Sequence, residues 1–92
     1  GDLTMKLIIA IIHDEDNDRV SRILTGENFR VTMIASTGGF LRSGRSTLLI
    51  GVKDERLERA LQLLRENCVT DKEGKEKKAI VFVLNVEEFI QA

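Results

Sequence analysis

A run of six consecutive apolar residues, Leu7–Ile12, constrains the fold of this chain more than any other feature. Because both alternating faces of the run are apolar, it predicts a strand that is covered on both sides and lies in the centre of a sheet. The run falls far short of the roughly 20 residues that a membrane-spanning helix needs. We therefore expect no membrane span and a cytoplasmic protein.

Two segments carry the spacing of amphipathic helices. The acids of His13–Asp16 suit a helix N-terminus, where carboxylates can cap free N–H groups and meet the positive end of the helix dipole. Apolar residues then recur at helical spacing, which predicts a first helix from about Asp16 to Thr25. Asp54 is the expected cap of a second helix, whose apolar stripe is the clearest in the chain. The residues of that stripe are Leu57, Ala60, Leu61 and Leu64.

Three more segments predict strands. Apolar and polar residues alternate from Phe29 to Ala35, so this second strand has one apolar face and one mixed face that carries Arg30 and Thr32. Two later segments are short, apolar and rich in β-branched residues, which predicts a third and a fourth strand. They span residues 47–52 and 79–84. Gly51 in the third strand predicts a bulge or a close backbone approach.

The predicted order is strand, helix, strand, strand, helix, strand. That order is typical of an α+β, ferredoxin-like βαββαβ fold, a four-stranded antiparallel sheet with both helices on one face. The first and third strands are then central, and the other face of the sheet is left uncovered. A chain of 92 residues suits one domain, which we place at 5–92, with residues 1–4 as an upstream extension or an expression remnant. The small core and the uncovered face favour self-association.

Charge and reactive residues argue against several classes of function. The 14 basic and 15 acidic residues give a net charge of −1, so we expect no binding to nucleic acid. Cys68 is the only cysteine and His13 the only histidine, which excludes an internal disulfide and leaves no convincing nucleophile with its base, or metal-binding cluster. We therefore expect no catalytic residues, no metal and no cofactor. The mixed-charge segment 71–78 is predicted to be a solvated loop.

The glycine-rich passage Ser36–Thr47 is where a ligand is expected. Gly38 and Gly39 allow positive φ and can bring consecutive N–H groups to an anion. Arginines add positive charge, hydroxyls add neutral donors and acceptors, and Phe40 offers a ring on which a base can stack. This combination predicts a site for a nucleotide or another phosphate compound. The passage lacks the Gly-Lys-Ser/Thr of a Walker loop, so no P-loop is indicated.

Three segments together resemble one known family. They are Phe29-Arg30-Val31-Thr32, Ser36-Thr37-Gly38-Gly39-Phe40-Leu41-Arg42-Ser43-Gly44 and Thr47-Leu48-Leu49-Ile50-Gly51-Val52. With the opening segment 5–11 and the closing segment 80–84, they make the chain similar to the PII-like cyclic-di-AMP receptor family over almost all of its length from Met5. The resemblance implies a ferredoxin-like subunit of a homotrimer, with cyclic-di-AMP in the clefts between subunits. It also implies no catalytic activity, and signalling to a downstream protein.

The resemblance assigns ligand-binding residues by motif position. Asn28 and Thr32 would contact the base, Gly51 would allow close approach, and the segment Gly38–Leu41 would wrap the ligand. The phosphate partners would be Arg30 and Arg42. The full set of candidate residues is Asn28, Arg30, Thr32, Thr37, Gly38, Gly39, Phe40, Leu41, Arg42, Arg45 and Gly51.

Two features set this chain apart within the resemblance. Arg45 stands where the family carries Asn, and a guanidinium cannot supply the paired donor and acceptor that reads an adenine edge. Segment 71–78 is short and lacks proline, where the family has a long Pro- and Gly-rich loop. Two alternatives therefore stay open. One is a PII-like trimer that binds ATP, ADP or another phosphate metabolite, and the other is an interaction domain without a ligand.

Overall fold

The computed structural model of this chain describes residues 4–34, 44–71, 78–88 and 90. Its elements are β1 (Met5–His13), α1 (Asp14–Gly26), β2 (Arg30–Ile34), β3 (Arg45–Lys53), a 3-10 turn (Asp54–Arg56), α2 (Leu57–Asn67) and β4 (Ala79–Val86). This order confirms the predicted α+β, ferredoxin-like βαββαβ arrangement. The predicted solvated loop at 71–78 lies almost wholly outside the described residues.

The four strands form one antiparallel sheet in the order β2-β3-β1-β4. As predicted, the first and third strands are central. The pairing of β1 with β3 runs without a break from Met5 opposite Lys53 to His13 opposite Arg45. Of the two alternatives predicted for Gly51, the bulge is therefore wrong, and the close backbone approach stays a prediction. Both edges of β3 are paired through this position, with Leu7 on one side and Arg30 on the other, which leaves no room for an extra residue.

The core lies between the helices and one face of the sheet. Alternation along β1 and β3 sends every second side chain to that face, where it meets the apolar stripes of α1 and α2. The largest fully buried apolar side chains are Ile8, Ile12, Val20, Leu24, Leu48, Ile50 and Leu64. Residues between them on β1, such as Ile9 and Ile11, are only half-buried because they point to the face that carries no helix.

The acids Asp14, Glu15 and Asp16 lie in the first turn of α1, at the helix N-terminus as predicted, but Asp16 has a role other than the predicted cap. The helix begins at Asp14, two residues earlier than expected, so Asp16 lies inside its first turn. The Asp16 side chain is fully buried and accepts hydrogen bonds from the Thr70 backbone N–H (3.1 Å) and the Thr70 hydroxyl (2.7 Å). Arg19 also donates to it at 3.1 Å. Asp16 thus ties α1 to the segment that follows α2.

Asp54 does not cap the second helix either. It opens the 3-10 turn, and α2 begins three residues later at Leu57. The Asp54 carboxylate instead pairs with Lys6 of β1 at 3.1 Å. The prediction failed because a cation on a neighbouring strand, invisible to local spacing, competes for the carboxylate.

We expect Asp16→Ala to lower the free energy of unfolding by about 2–3 kcal/mol, because Thr70 loses both of its charge-assisted hydrogen bonds. Asp18→Ala is the matched control. Asp18 lies on the same helix with its side chain exposed, so this change should stay within about 0.5 kcal/mol of wild type. Chemical denaturation followed by circular dichroism measures both. Equal effects of the two substitutions would contradict the assigned role of Asp16.

Of the helices in the described part of the chain, none combines the length and apolarity that a membrane crossing requires.

Candidate functional site

The sheet face that carries no helix, called the open face below, holds most of the features that could serve a function. Because side chains alternate, the odd-numbered residues of β1 and β3 and the even-numbered residues of β2 and β4 lie on it. Phe82 and Leu84 of β4 are about half exposed there, at 51% and 47%. Among the described residues, no helix packs over the β4 side of the open face, whereas His13, Arg45 and Thr47 at its other end are buried.

One half of the open face is an apolar patch formed by β1 and β4. The register places Leu7 opposite Leu84, Ile9 opposite Phe82 and Ile11 opposite Ile80. The apolar patch therefore consists of Leu7, Ile9, Ile11, Ile80, Phe82 and Leu84. Contiguous exposed apolar surface of this kind marks a contact with another molecule.

The other half, formed by β2 and β3, carries a polar track. Its residues are Arg30, Thr32, Arg45, Thr47 and Gly51. Arg30 lies opposite Gly51 in the register. Thr32 lies two residues further along β2, opposite Leu49, and Thr47 lies four residues from Gly51 on β3, diagonally adjacent to Thr32. From Gly51 to Arg45 the track spans six residues of β3, or roughly 20 Å at about 3.4 Å per residue. The apolar residues Leu49 and Ile34 lie among these polar groups on the same half of the face, so the track suits an elongated ligand whose polar groups lie apart from one another.

The charge of the open face is one-sided. Among its described strand residues are the cations Arg30, Arg45 and Lys53, together with His13, and none is an aspartate or glutamate. The whole chain has a net charge of −1, so this face differs in sign from the average of the protein. A cationic surface next to low-dielectric apolar residues attracts anions.

A cavity of about 380 Å³ lies at the Arg30 end of the polar track. Its lining residues are Met5, Lys6, Leu7, Arg30, Thr32, Leu49, Gly51 and Val86. The volume falls within the range of roughly 300–1,000 Å³ that is usual for ligand pockets. A Cβ added at Gly51 would meet, among the described residues, only the end of Met5 at 3.9 Å, so the glycine relieves no crowding with that part of the chain.

The turn before β2 is held firmly beside this cavity. Asn28 has a positive φ of 70°, and its backbone N–H donates to the Thr25 carbonyl at 3.0 Å. Buried Phe29 stacks under the Arg56 guanidinium, which lies 4.0 Å from the ring centroid and donates to the Glu27 carbonyl at 2.9 Å. Two hydrogen bonds from Arg59, at 2.8 and 2.6 Å, hold the pKa of Glu27 below its usual value. The exposed Asn28 side chain is thus presented two residues from Arg30.

Of the candidate residues named from the sequence, the structure brings Arg30, Thr32 and Gly51 together, with Asn28 close by in the chain. Arg45 lies at the opposite end of the polar track and is buried. Thr37, Gly38, Gly39, Phe40, Leu41 and Arg42 lie outside the described residues. The predicted anion-binding nest therefore stays a prediction.

Sequence reasoning did not single out the apolar lining of the cavity or the position of Thr47 on the polar track. Met5, Leu7 and Leu49 line the cavity because strand pairing places them on the same face as Arg30. The period of two along each strand could have placed them on that face, but only the register sets them next to Arg30.

A second cavity, of about 550 Å³, lies between α2 and β4 on the helix side of the sheet. Its lining residues are Leu61, Leu64, Arg65, Cys68, Lys78, Ala79 and Val81. Burial, with the nearby Asp16 carboxylate, raises the pKa of the Cys68 thiol to about 11, so the thiol is neutral at physiological pH and a poor nucleophile. Within the described ranges, no group of three or more His, Cys, Asp or Glu residues could hold a metal ion.

Comparison with known proteins adds two findings. The model of a protein family described as cyclic-di-AMP receptor matches residues 5–74, a region that contains the whole polar track. The fold is similar to the crystal structure of a functionally unknown protein from Pediococcus pentosaceus ATCC 25745, with a TM-score of 0.79. The two sequences are 32% identical, and the match covers 98% of this chain and 99% of that chain.

Proposed function

This chain belongs to the cyclic-di-AMP receptor family, and from that premise we propose that it is a non-enzymatic signal-transduction protein that binds cyclic-di-AMP in clefts between the subunits of a homotrimer. One observation carries the proposal. The open face divides into an apolar patch and a cationic polar track that lie side by side.

The apolar patch supports subunit assembly. Phe82 and Leu84 expose about half of their surface, and each square ångström of apolar area removed from water contributes about 25 cal/mol. A second subunit placed over β1 and β4 would cover this area. The polar track on β2 and β3 would then lie at the edge of that contact, which is where a cleft between subunits forms.

The polar track supports an anionic ligand. A cyclic dinucleotide carries two phosphodiester groups, and the guanidinium of Arg30 can donate two parallel hydrogen bonds to such a group. Thr32 beside it offers a hydroxyl that both donates and accepts, which suits the edge of a base. Gly51 lets the ligand approach the backbone of β3, and the apolar lining of the cavity can pack against a base ring.

A non-enzymatic role is supported by the groups that the polar track offers. At its Arg30 end, Arg30, Thr32 and Gly51 offer a guanidinium, a hydroxyl and backbone groups, which bind and orient a ligand but do not form a nucleophile with its base. Such a receptor would act through a downstream protein that distinguishes the occupied trimer from the empty one. The single thiol, without a partner for a disulfide, suits a reducing compartment, and we place the protein in the cytoplasm.

Titration calorimetry with cyclic-di-AMP, ATP and ADP tests this proposal. The chain contains no Trp and no Tyr, so calorimetry is preferable to intrinsic fluorescence. We expect saturable binding of cyclic-di-AMP with one site per subunit, and chromatography should recover the ligand unchanged. Binding of ATP or ADP without cyclic-di-AMP would favour a different nucleotide receptor. Binding of none of them would leave an interaction domain as the better description.

A further inference from the structure

The polar track has a second polar end, distant from Arg30, that the proposed function does not yet use. His13 at the end of β1 lies directly opposite Arg45 at the start of β3. Both are buried, with exposures of 2% and 5%, and Thr47, two residues along β3 on the same face, is exposed by only 5%. A guanidinium, an imidazole and a hydroxyl are therefore gathered away from water on the open face.

The Thr47 hydroxyl points to a missing partner. Among the residues that the structure describes, none makes a hydrogen bond with its Oγ1 atom, although that atom is buried. Buried hydroxyls in proteins almost always have a partner. The carboxylate of Asp14, the next residue after His13, is not the partner of Thr47. It accepts a hydrogen bond from Ser46 at 2.5 Å, and Ser46 lies on the opposite face of β3.

We propose that Arg45, Thr47 and His13 form a donor-rich subsite for those atoms of the nucleotide ligand that only accept hydrogen bonds. The inference rests on the proposed function and names the ligand chemistry of this end of the site. Arg45 has five N–H donors and no acceptor, and the Thr47 hydroxyl can add one donor. Two kinds of ligand group fit this chemistry, the oxygens of a phosphodiester and the paired N7 and O6 acceptors of a guanine-type base.

An adenine edge fits this subsite less well. An adenine edge presents an acceptor beside an N–H donor, and a guanidinium has no acceptor for that N–H group. A bidentate contact between arginine and the guanine edge discriminates between bases by roughly 5- to 150-fold in affinity. The subsite therefore binds one of two groups. If it binds a phosphodiester, it raises the affinity for all cyclic dinucleotides equally. If it binds a base edge, it raises the affinity for guanine-type dinucleotides over adenine-type ones.

Thr47→Val is the first test, in the full chain, with cyclic-di-AMP and cyclic-di-GMP titrated by calorimetry. Valine keeps the shape and the strand preference of threonine and removes only the hydroxyl. Because no described residue makes a hydrogen bond with that hydroxyl, the unfolding temperature should be unchanged or higher. We expect the affinity for the preferred ligand to fall roughly 2- to 12-fold. Unchanged affinity for both ligands would overturn the role of Thr47.

Arg45→Lys and Arg45→Gln separate the two sources of acceptors. If Arg45 contacts a phosphodiester, Lys should largely keep affinity and Gln should lower it for both dinucleotides. If Arg45 contacts a guanine-type base, Lys can still donate to its N7 and O6 acceptors, whereas Gln should weaken cyclic-di-GMP and move the preference toward cyclic-di-AMP. Unchanged or tighter binding of both ligands by both variants would overturn the subsite. A wild-type protein that binds no nucleotide would overturn the proposed function and this inference together.

Discussion

Replacing Phe82 with glutamate is expected to convert the proposed trimer into monomers without unfolding the subunit. Phe82 lies opposite Ile9 in the centre of the apolar patch and already exposes 51% of its surface, so the isolated subunit loses little by the change. In an assembled trimer, the same change is expected to cost a large part of the association free energy. Each subunit gives up about 1.5–3 kcal/mol of Phe burial and must desolvate a carboxylate, and symmetry repeats this cost at every interface.

Val83→Glu is the matched control for this prediction. It adds the same charge to the neighbouring residue of β4, which is 39% exposed but lies on the helix side of the sheet. Light scattering should give the trimer mass for wild type and Val83→Glu, and the monomer mass for Phe82→Glu. A monomeric wild type, or dissociation by Val83→Glu alone, would show that the open face is not the subunit interface.

Replacing Gly51 with valine is expected to reduce cyclic-di-AMP affinity by roughly 100-fold or more while the subunit keeps its fold. Among the described residues, a new Cβ would meet only the flexible end of Met5, at 3.9 Å. Valine also suits a strand better than glycine, which costs about 0.5–1 kcal/mol in a strand interior. A loss of affinity in a folded variant would then point to a ligand that comes close to β3 at this position.

Gly26→Ala is the control for the removal of a glycine. A Cβ at Gly26 meets no atom within 4 Å in the described structure, and this residue ends α1 away from the open face. Calorimetry should show wild-type affinity for Gly26→Ala, and thermal unfolding should show a stable fold for both variants. Full affinity in Gly51→Val would mean that no ligand comes close to β3 at this point.

The sequence predicted the fold well because its signals are local and repeat along the chain. The unbroken run Leu7–Ile12 and the central place of its strand follow from residues next to one another. The alternation from Phe29 onward also put Arg30 and Thr32 on one face before any pairing was known. The two helices, with their apolar stripes, were recognisable for the same reason.

Predictions about single side chains were wrong where the partner of the side chain is distant in the sequence. Asp16 and Asp54 both had the character of helix caps, yet one is buried against Thr70, 54 positions away, and the other pairs with Lys6. Local spacing cannot reveal such partners. Residues 35–43, which include most of the predicted ligand contacts of the glycine-rich passage, lie outside the described residues. Their contacts with a ligand therefore stay a prediction.

The sequence by itself determined which elements form, in what order, and which side chains share a face of each strand, because successive Cβ atoms on a strand point to opposite faces. Only the tertiary structure decided which of those faces meet. The register sets Gly51 opposite Arg30 and Arg45 opposite His13, and it separates the apolar patch from the polar track. Register depends on pairing between residues far apart in the chain, so neighbouring residues in the sequence do not encode it.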